Sequence, residues 1–193
     1  MYKKCSHKVD KNDIIIGVSE NWRLFAEENF GGPKCFPENI VGTSLWDHIC
    51  GLETKELYKI ILQKVREHRR QVFLPYRCDS PEKRRSLKLT IIPIDDGSVE
   101  FISETIKEEL REPVDLLRPN VERSNEFLRI CSMCKKIGIT DKEWEEVEIA
   151  VQKMKLFEIG AVPQLTHGLC HSCYQVAMAE LERISRHPTS GAT

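Results

Sequence analysis

Two pairs of cysteines have the spacing of a metal-binding motif. Cys131 and Cys134 form one CxxC pair, and Cys170 and Cys173 form a second. A CxxC turn places two sulfurs on one side of a tight loop, so two such turns together supply four thiolates at tetrahedral corners. The sequence therefore predicts a metal centre. Zinc is the first choice for this ligand set, and an iron–sulfur cluster is the alternative.

Two histidines leave the exact ligand set open. His167 lies shortly before the second pair, and His171 lies inside it. Either could replace one cysteine in a site of three cysteines and one histidine, although two complete CxxC pairs need no further ligand. A dithiol switch, in which oxidation ejects the metal, also stays open. A thioredoxin-like catalytic pair is not expected, because the βαβ pattern that such a pair requires is absent from the sequence.

Composition and charge exclude several classes of function. The chain has 193 residues, of which 40% are hydrophobic, and a net charge of −1, which argues against binding nucleic acid through bulk positive charge. Its apolar runs are far shorter than the roughly 20 residues of a membrane-spanning helix. The N-terminal residues carry no apolar stretch of the kind that secretory signals have. We therefore expect a cytoplasmic protein, without membrane attachment and with nucleic acid an improbable partner.

Catalytic motifs are missing from the sequence. It contains no glycine-rich phosphate loop, no GxSxG and no HExxH. Asp95 and Asp96 precede Gly97, so this carboxylate pair is better explained as a hairpin turn than as an acid–base pair. We therefore expect a protein that is not an enzyme.

The hydrophobic patterns divide the chain into three parts. Residues 12–104 alternate between strand and helix patterns, 105–126 favour a helical connector, and 127–187 form a cysteine-rich module with a helical pattern. The predicted strands are 13–18, 71–78, 86–94 and 99–103, and the predicted helices are 54–68, a helix of about four turns from 141, and 174–186. Residues 21–29 fit either a strand or a short helix.

The first part resembles a PAS domain. The resemblance lies in DIIIGV at 13–18, NWRLFA at 21–26, IVGTSLW at 40–46, PYRCDSP at 75–81 and IPIDDG at 92–97. It implies an α+β fold, with a five-stranded antiparallel sheet and flanking helices, and a role in sensing or dimerisation. Five aromatic residues either pack as core or line a ligand pocket in such a fold: Trp22, Phe25, Trp46, Phe73 and Tyr76. The ligand itself is not predicted, since neither a haem-binding histidine nor a flavin-type cysteine motif can be assigned.

The last part resembles the cysteine-rich tail that follows PAS or receiver domains in bacterial signalling proteins. ICSMCKKI at 130–137, Trp144 and THGLCHSC at 166–173 carry this resemblance, and His171 stands where the pattern usually has proline. Together, the two resemblances predict a non-enzymatic sensory or adaptor protein in signal transduction. It would hold structural zinc and act through a signalling partner, and the PAS resemblance favours a homodimer. The alternative is a redox or gas sensor that uses a four-cysteine iron–sulfur cluster.

Overall fold

The computed structural model describes residues 4–28, 32–156 and 161–186. Its strands form two sheets, with five helices beside them in these ranges. The strands are β1 (Lys4–Val9), β2 (Ile15–Val18), β3 (Val72–Arg77), β4 (Lys83–Pro93), β5 (Val99–Leu110), β6 (Arg123–Cys131), β7 (Ile137–Gly138), β8 (Trp144–Glu145) and β9 (Val162–Gly168). The helices are α1 (Trp22–Glu28), α2 (Pro37–Ile40), α3 (Leu52–His68), α4 (Val147–Lys153) and α5 (His171–Ser185). None of these helices combines the length and apolar character that crossing a membrane requires.

The first sheet has five antiparallel strands in the order β2-β1-β5-β4-β3. This confirms the predicted α+β class and the five-stranded antiparallel sheet. Strand β1 lies before the predicted domain start at residue 12, yet it pairs with β5 along its whole length. The sequence KCSHKV does not read as a clear strand pattern, because only Cys5 and Val9 are buried and the residues between them are polar.

Helix α3 covers the hydrophobic core of this sheet. Leu57, Ile61 and Val65 recur at helical spacing and are almost fully buried. The helix begins two residues earlier than predicted, with Gly51 as its N-cap, and Thr54 does not cap it. Instead the buried Thr54 hydroxyl is hydrogen bonded to Ser132, 2.7 Å away, in the cysteine-rich part of the chain.

The predicted helical connector at 105–126 is wrong. Strand β5 continues to Leu110, a single 3-10 turn spans Asp115–Leu117, and β6 starts at Arg123. Residues 107–111 are good helix formers, but local propensity is a weak determinant and pairing with β4 overrides it. Lys83 in β4 forms an ion pair with Glu108 in β5 at 3.0 Å, so the charged residues favour the strand register.

The cysteine-rich part is less helical than predicted. It holds a four-stranded sheet in the order β8-β7-β6-β9, in which β6 and β9 are parallel. The helix predicted from residue 141 is only α4, because Trp144 lies in β8 and packs its ring on Gly138 of β7. Helix α5 starts three positions before the predicted 174. Residue 187, the predicted end of the module, lies outside the described residues.

One hydrophobic core joins the first sheet to the cysteine-rich part. Buried residues of α3 and the five-stranded sheet are in the same cluster as Cys131, Met133, Cys170, Leu181 and Ile184. A second cluster fills the space between the four-stranded sheet and α4. The two parts of the chain therefore bury apolar surface against each other.

Candidate metal centre and ligand cavity

The four predicted cysteines come together in space. The sulfurs of Cys131, Cys134, Cys170 and Cys173 all lie within 4.8 Å of one another, and the Sγ atoms of Cys134 and Cys170 are 3.7 Å apart. Cys131 and Cys170 are buried, and the other two are partly buried. The group can therefore hold a metal ion.

A tight turn between β6 and β7 forms the first half of the cluster. The Cys131 amide donates to the carbonyl of Lys136 at 2.8 Å, and the Lys135 amide donates back to the carbonyl of Cys131 at 3.0 Å. Lys135 adopts a left-handed backbone with φ of 62°. This conformation turns the chain sharply enough to place Cys131 and Cys134 on one side of the loop.

The parallel pairing of β9 with β6 brings in the second half. Gly168 lies opposite Cys131 in the register, and its carbonyl accepts a hydrogen bond from the Ser132 amide at 2.9 Å. The amide of Cys170 donates to the Cys131 sulfur at 3.4 Å. Cys170 is the N-cap of α5, and Cys173 lies in its first turn.

Both halves are also tied to the five-stranded sheet and its helix. The amide of Arg77, at the end of β3, donates to the Met133 carbonyl inside the first turn at 2.7 Å. The Glu53 carboxylate in α3 accepts from the Leu169 amide at 2.8 Å, directly before Cys170. The four-cysteine cluster therefore lies against β3 and α3.

The close packing of the sulfurs perturbs their acidity in opposite directions. Hydrogen bonds from the neighbouring thiols lower the pKa of Cys131. The same contact raises the pKa of Cys134 to about 12 and also raises that of Cys173. A bound cation would act against the rise at Cys134 and Cys173, because a positive charge favours the thiolate form of its ligands.

Neither histidine belongs to the cluster. His167 lies in β9 and is exposed at the surface, where partial desolvation of its ring and, to a lesser extent, the charge of Lys135 lower its pKa. His171 is exposed at the start of α5. The sulfur cluster of the described residues consists of the four cysteines alone.

An ion-pair network lies next to the first cysteine turn. Arg77 pairs with Asp79, whose side chain is 1% exposed, and with Glu146 at 2.6 Å. Arg111 reaches Asp79 at 3.3 Å and Glu148 at 3.1 Å. Glu146 and Glu148 lie at the start of α4, so these ion pairs connect α4 to the ends of β3 and β5.

A cavity of about 350 Å³ is lined by residues of the five-stranded sheet and of the helices beside it, away from the four-cysteine cluster. Of the five aromatic residues predicted for a pocket, Trp22 and Tyr76 line it, and Phe25, Trp46 and Phe73 do not. The Trp46 indole instead donates to Asp13 at 3.1 Å, and Phe73 stands on the outer edge under Arg183. The full lining is His7, Ile15, Trp22, Cys35, Ile40, Leu45, His48, Ile49, Tyr58, Tyr76, Leu89, Phe101 and Ser103.

Sequence reasoning missed the polar residues of this lining, His7, His48 and Ser103, of which His7 takes part in a ring stack. His7 lies directly opposite Phe101 in the β1–β5 register, and the two rings stack with centroids 4.6 Å apart. The Trp22 ring meets it edge-on at 5.6 Å. Its Nε2 atom is buried and has no hydrogen-bond partner among the described residues. Burial and, to a lesser extent, the charge of His48 lower the pKa of His7 to about 4, so the ring is neutral at physiological pH.

A sequence signal for His7 was present. Cys5, His7 and Val9 alternate with polar residues, which is the period of a strand with one buried face. The signal is weak because only Val9 of these residues is strongly apolar.

No protein-family model and no curated protein matches this sequence. Solved structures do match, among them a domain of an HTR-like protein from Haloarcula marismortui. That domain is 16% identical to this chain and aligns over 55% of this chain and 100% of its own length, with a TM-score of 0.39. A score this low does not establish a common fold, so any functional conclusion depends on the geometry of the site itself.

Proposed function

We propose that this protein is a non-enzymatic sensory or adaptor protein of signal transduction. Its PAS-like domain binds a small molecule or a protein partner. A structural zinc ion is held by four cysteines, Cys131, Cys134, Cys170 and Cys173. The observation that carries the proposal is the four-sulfur cluster, joined by a backbone hydrogen bond from Arg77 to Met133 to the five-stranded sheet that lines the cavity. We further propose that it acts in the cytoplasm as a homodimer and through a signalling partner.

The sulfur geometry favours zinc over an iron–sulfur cluster. Zinc–sulfur bonds of about 2.3 Å place the corners of a tetrahedron about 3.8 Å apart. Cys134 and Cys170 have nearly this separation, at 3.7 Å, and the whole group falls within 4.8 Å. An iron–sulfur cluster distributes its thiolates over several irons with sulfide between them, which requires a wider arrangement. Zinc has no redox chemistry here and would act by holding β6, β9 and α5 together.

The cavity supports the sensory part of the proposal. Its volume of about 350 Å³ lies at the small end of ligand sites in proteins, and its walls are mainly aromatic and aliphatic. The five-stranded antiparallel sheet and its helices agree with what a PAS resemblance implies. The same resemblance motivates the proposed dimer and the proposed partner.

Elemental analysis with a visible spectrum tests the metal assignment. Protein purified without oxygen is expected to be colourless and to contain one zinc per chain. A Cys173→Ser variant is expected to lose that zinc, whereas Cys50→Ser should keep it, because Cys50 is an exposed cysteine outside the cluster. Brown protein with iron and sulfide would replace the zinc proposal by the redox or gas sensor.

A second measurement tests the adaptor role. Turnover in a disulfide-reduction assay that disappears in a Cys131→Ser variant would make the protein an enzyme and overturn the proposal. We expect no turnover above that of a small zinc–thiolate complex.

A further inference from the structure

We infer that the cavity binds a neutral aromatic molecule that carries one hydroxyl group, and that His7 recognises the hydroxyl. This inference rests on the proposed ligand-binding function and specifies the class of ligand. It combines three observations on the lining residues, which concern shape, charge and an unmet hydrogen bond.

The shape of the cavity favours a flat, compact ligand. At the share of liquid volume that a water molecule takes, about 30 Å³, the cavity holds roughly a dozen non-hydrogen atoms. The rings of Trp22, Tyr58, Tyr76 and Phe101 all line it. Aromatic side chains pack on other rings in offset or edge-to-face arrangements, so these walls suit one or two fused rings.

The lining of the cavity disfavours ionised ligands. No aspartate, glutamate, lysine or arginine is among the described residues that line it. An ammonium group placed here would lose its hydration without gaining an opposite charge, and a carboxylate would face only His48, whose Nε2 is hydrogen bonded to the Thr43 hydroxyl at 2.7 Å. His7 cannot supply that charge at neutral pH, because burial keeps its ring unprotonated.

The unmet hydrogen bond lies on His7. The ring lines the cavity and is fixed between Phe101 and Trp22, and its buried Nε2 has no partner in the described part of the protein. A neutral imidazole has one nitrogen that donates and one that accepts. A hydroxyl does both, so a ligand hydroxyl satisfies this nitrogen in either tautomer, provided that a small shift of the cavity wall on binding exposes Nε2, which is buried in this structure.

The experiment compares three probes of nearly equal size on the full chain by titration calorimetry at neutral pH. The probes are naphthol, naphthalene and naphthoate. One neutral hydrogen bond in a buried site is expected to make naphthol bind about five- to tenfold more tightly than naphthalene. Naphthoate is expected not to bind at concentrations that saturate the protein with naphthol. This comparison needs no variant.

A His7→Phe variant then tests the residue. It keeps a ring against Phe101 and removes the nitrogen, so naphthol and naphthalene should bind equally well. His68→Phe is the matched control, because His68 lies at the end of α3 outside the cavity and contacts Ser185. It should keep the preference for naphthol. Naphthalene binding and the zinc content show whether the His7→Phe protein is folded.

The outcomes separate this inference from the proposed function. Equal binding of naphthol and naphthalene by the native protein would overturn the role of His7, and tighter binding of naphthoate would overturn the neutral ligand class. No binding of any probe by protein that still holds zinc would overturn this inference alone. Protein without zinc would overturn the proposed function instead.

Discussion

Replacing Gly51 by alanine tests how the metal centre is positioned. Gly51 is the N-cap of α3 and has φ of +85°, which non-glycine residues rarely adopt. A Cβ atom at this position would lie 2.6 Å from the backbone oxygen of His167 and 3.1 Å from its carbonyl carbon. The neighbour is backbone of β9, so it cannot rotate away as a side chain could. The Gly51→Ala protein must therefore shift either α3 or β9.

Gly42 provides a matched control for this change. Its φ is +90°, but an added Cβ would have no neighbour within 4 Å. Gly42→Ala therefore carries the backbone cost alone, about 1–3 kcal/mol. Gly51→Ala carries a similar backbone cost and, in addition, the cost of overpacking, typically about 1–3 kcal/mol. The difference between the two variants measures how closely β9 packs on α3.

Urea unfolding of the native protein and the two variants gives this difference. We expect Gly51→Ala to be less stable than Gly42→Ala by about 1–3 kcal/mol, with each kcal/mol lowering Tm by about 2–4 °C for a chain of this size. Because Cys170 follows His167 closely, the shifted strand should also loosen the metal centre. Zinc transfer to a chelator is therefore expected to be faster in the Gly51→Ala protein.

Two results would contradict this reasoning. If both variants lost the same stability within about 0.5 kcal/mol, the additivity error expected for such comparisons, the close approach of β9 to Gly51 would be wrong. If Gly51→Ala were less stable but released zinc at the native rate, the packing would be right and its link to the metal centre wrong.

Three other perturbations address the metal, the buried ion pairs and His7. Stripping the metal with a chelator should lower the unfolding free energy by several kcal/mol, because metal binding supplies folding energy to small cysteine-rich modules, and calorimetry with and without zinc measures this loss. Arg77→Met should lower the free energy of unfolding in urea by about 3 kcal/mol, because Arg111 is then the one cationic partner left to the buried Asp79 among the described residues. An unchanged urea midpoint would contradict this. The free energy of unfolding should fall as the pH drops from 6.5 towards 4, and His7 should contribute at most about 1.4 kcal/mol per pH unit to this fall. The reason is that the unfolded chain binds a proton at His7 in this pH range, whereas the folded chain does not. His7→Phe should lack this part of the pH dependence, and an identical pH profile in the two proteins would refute it.

The four-cysteine cluster was predictable from sequence because its signal is local. Each CxxC pair shapes its own turn within four residues, and the chemistry of four thiolates is independent of the surrounding fold. The hairpin at residues 95–98 was predictable for the same reason, since Gly97 has the positive φ that such a turn needs. Helix α3 was visible in its apolar spacing.

The elements that the sequence did not predict depend on pairing with residues distant in the chain. The second half of β5 contains helix-forming residues, and only the register with β4 makes it a strand. Strand β9 pairs in parallel with β6. Parallel strands are not joined by a tight turn, so the sequence carries no turn signal that would predict this pairing. The alternation in β1 is a weak local signal of a strand, and the position of His7 opposite Phe101 is what places it in the cavity.

Strand β3 gives the cavity and the metal centre a common support. Tyr76 lines the cavity, and the amide of the next residue, Arg77, donates to the Met133 carbonyl between Cys131 and Cys134. Under the proposed function, a ligand that moves Tyr76 must also move the hydrogen bond that holds the first cysteine turn. Binding energies at two sites coupled in this way act reciprocally, so zinc should in turn affect the affinity of the cavity by the same factor. Because both sites draw on one hydrophobic core, we expect removal of the metal to change the affinity of the cavity for its ligand, and an unchanged affinity would show that the two sites are independent.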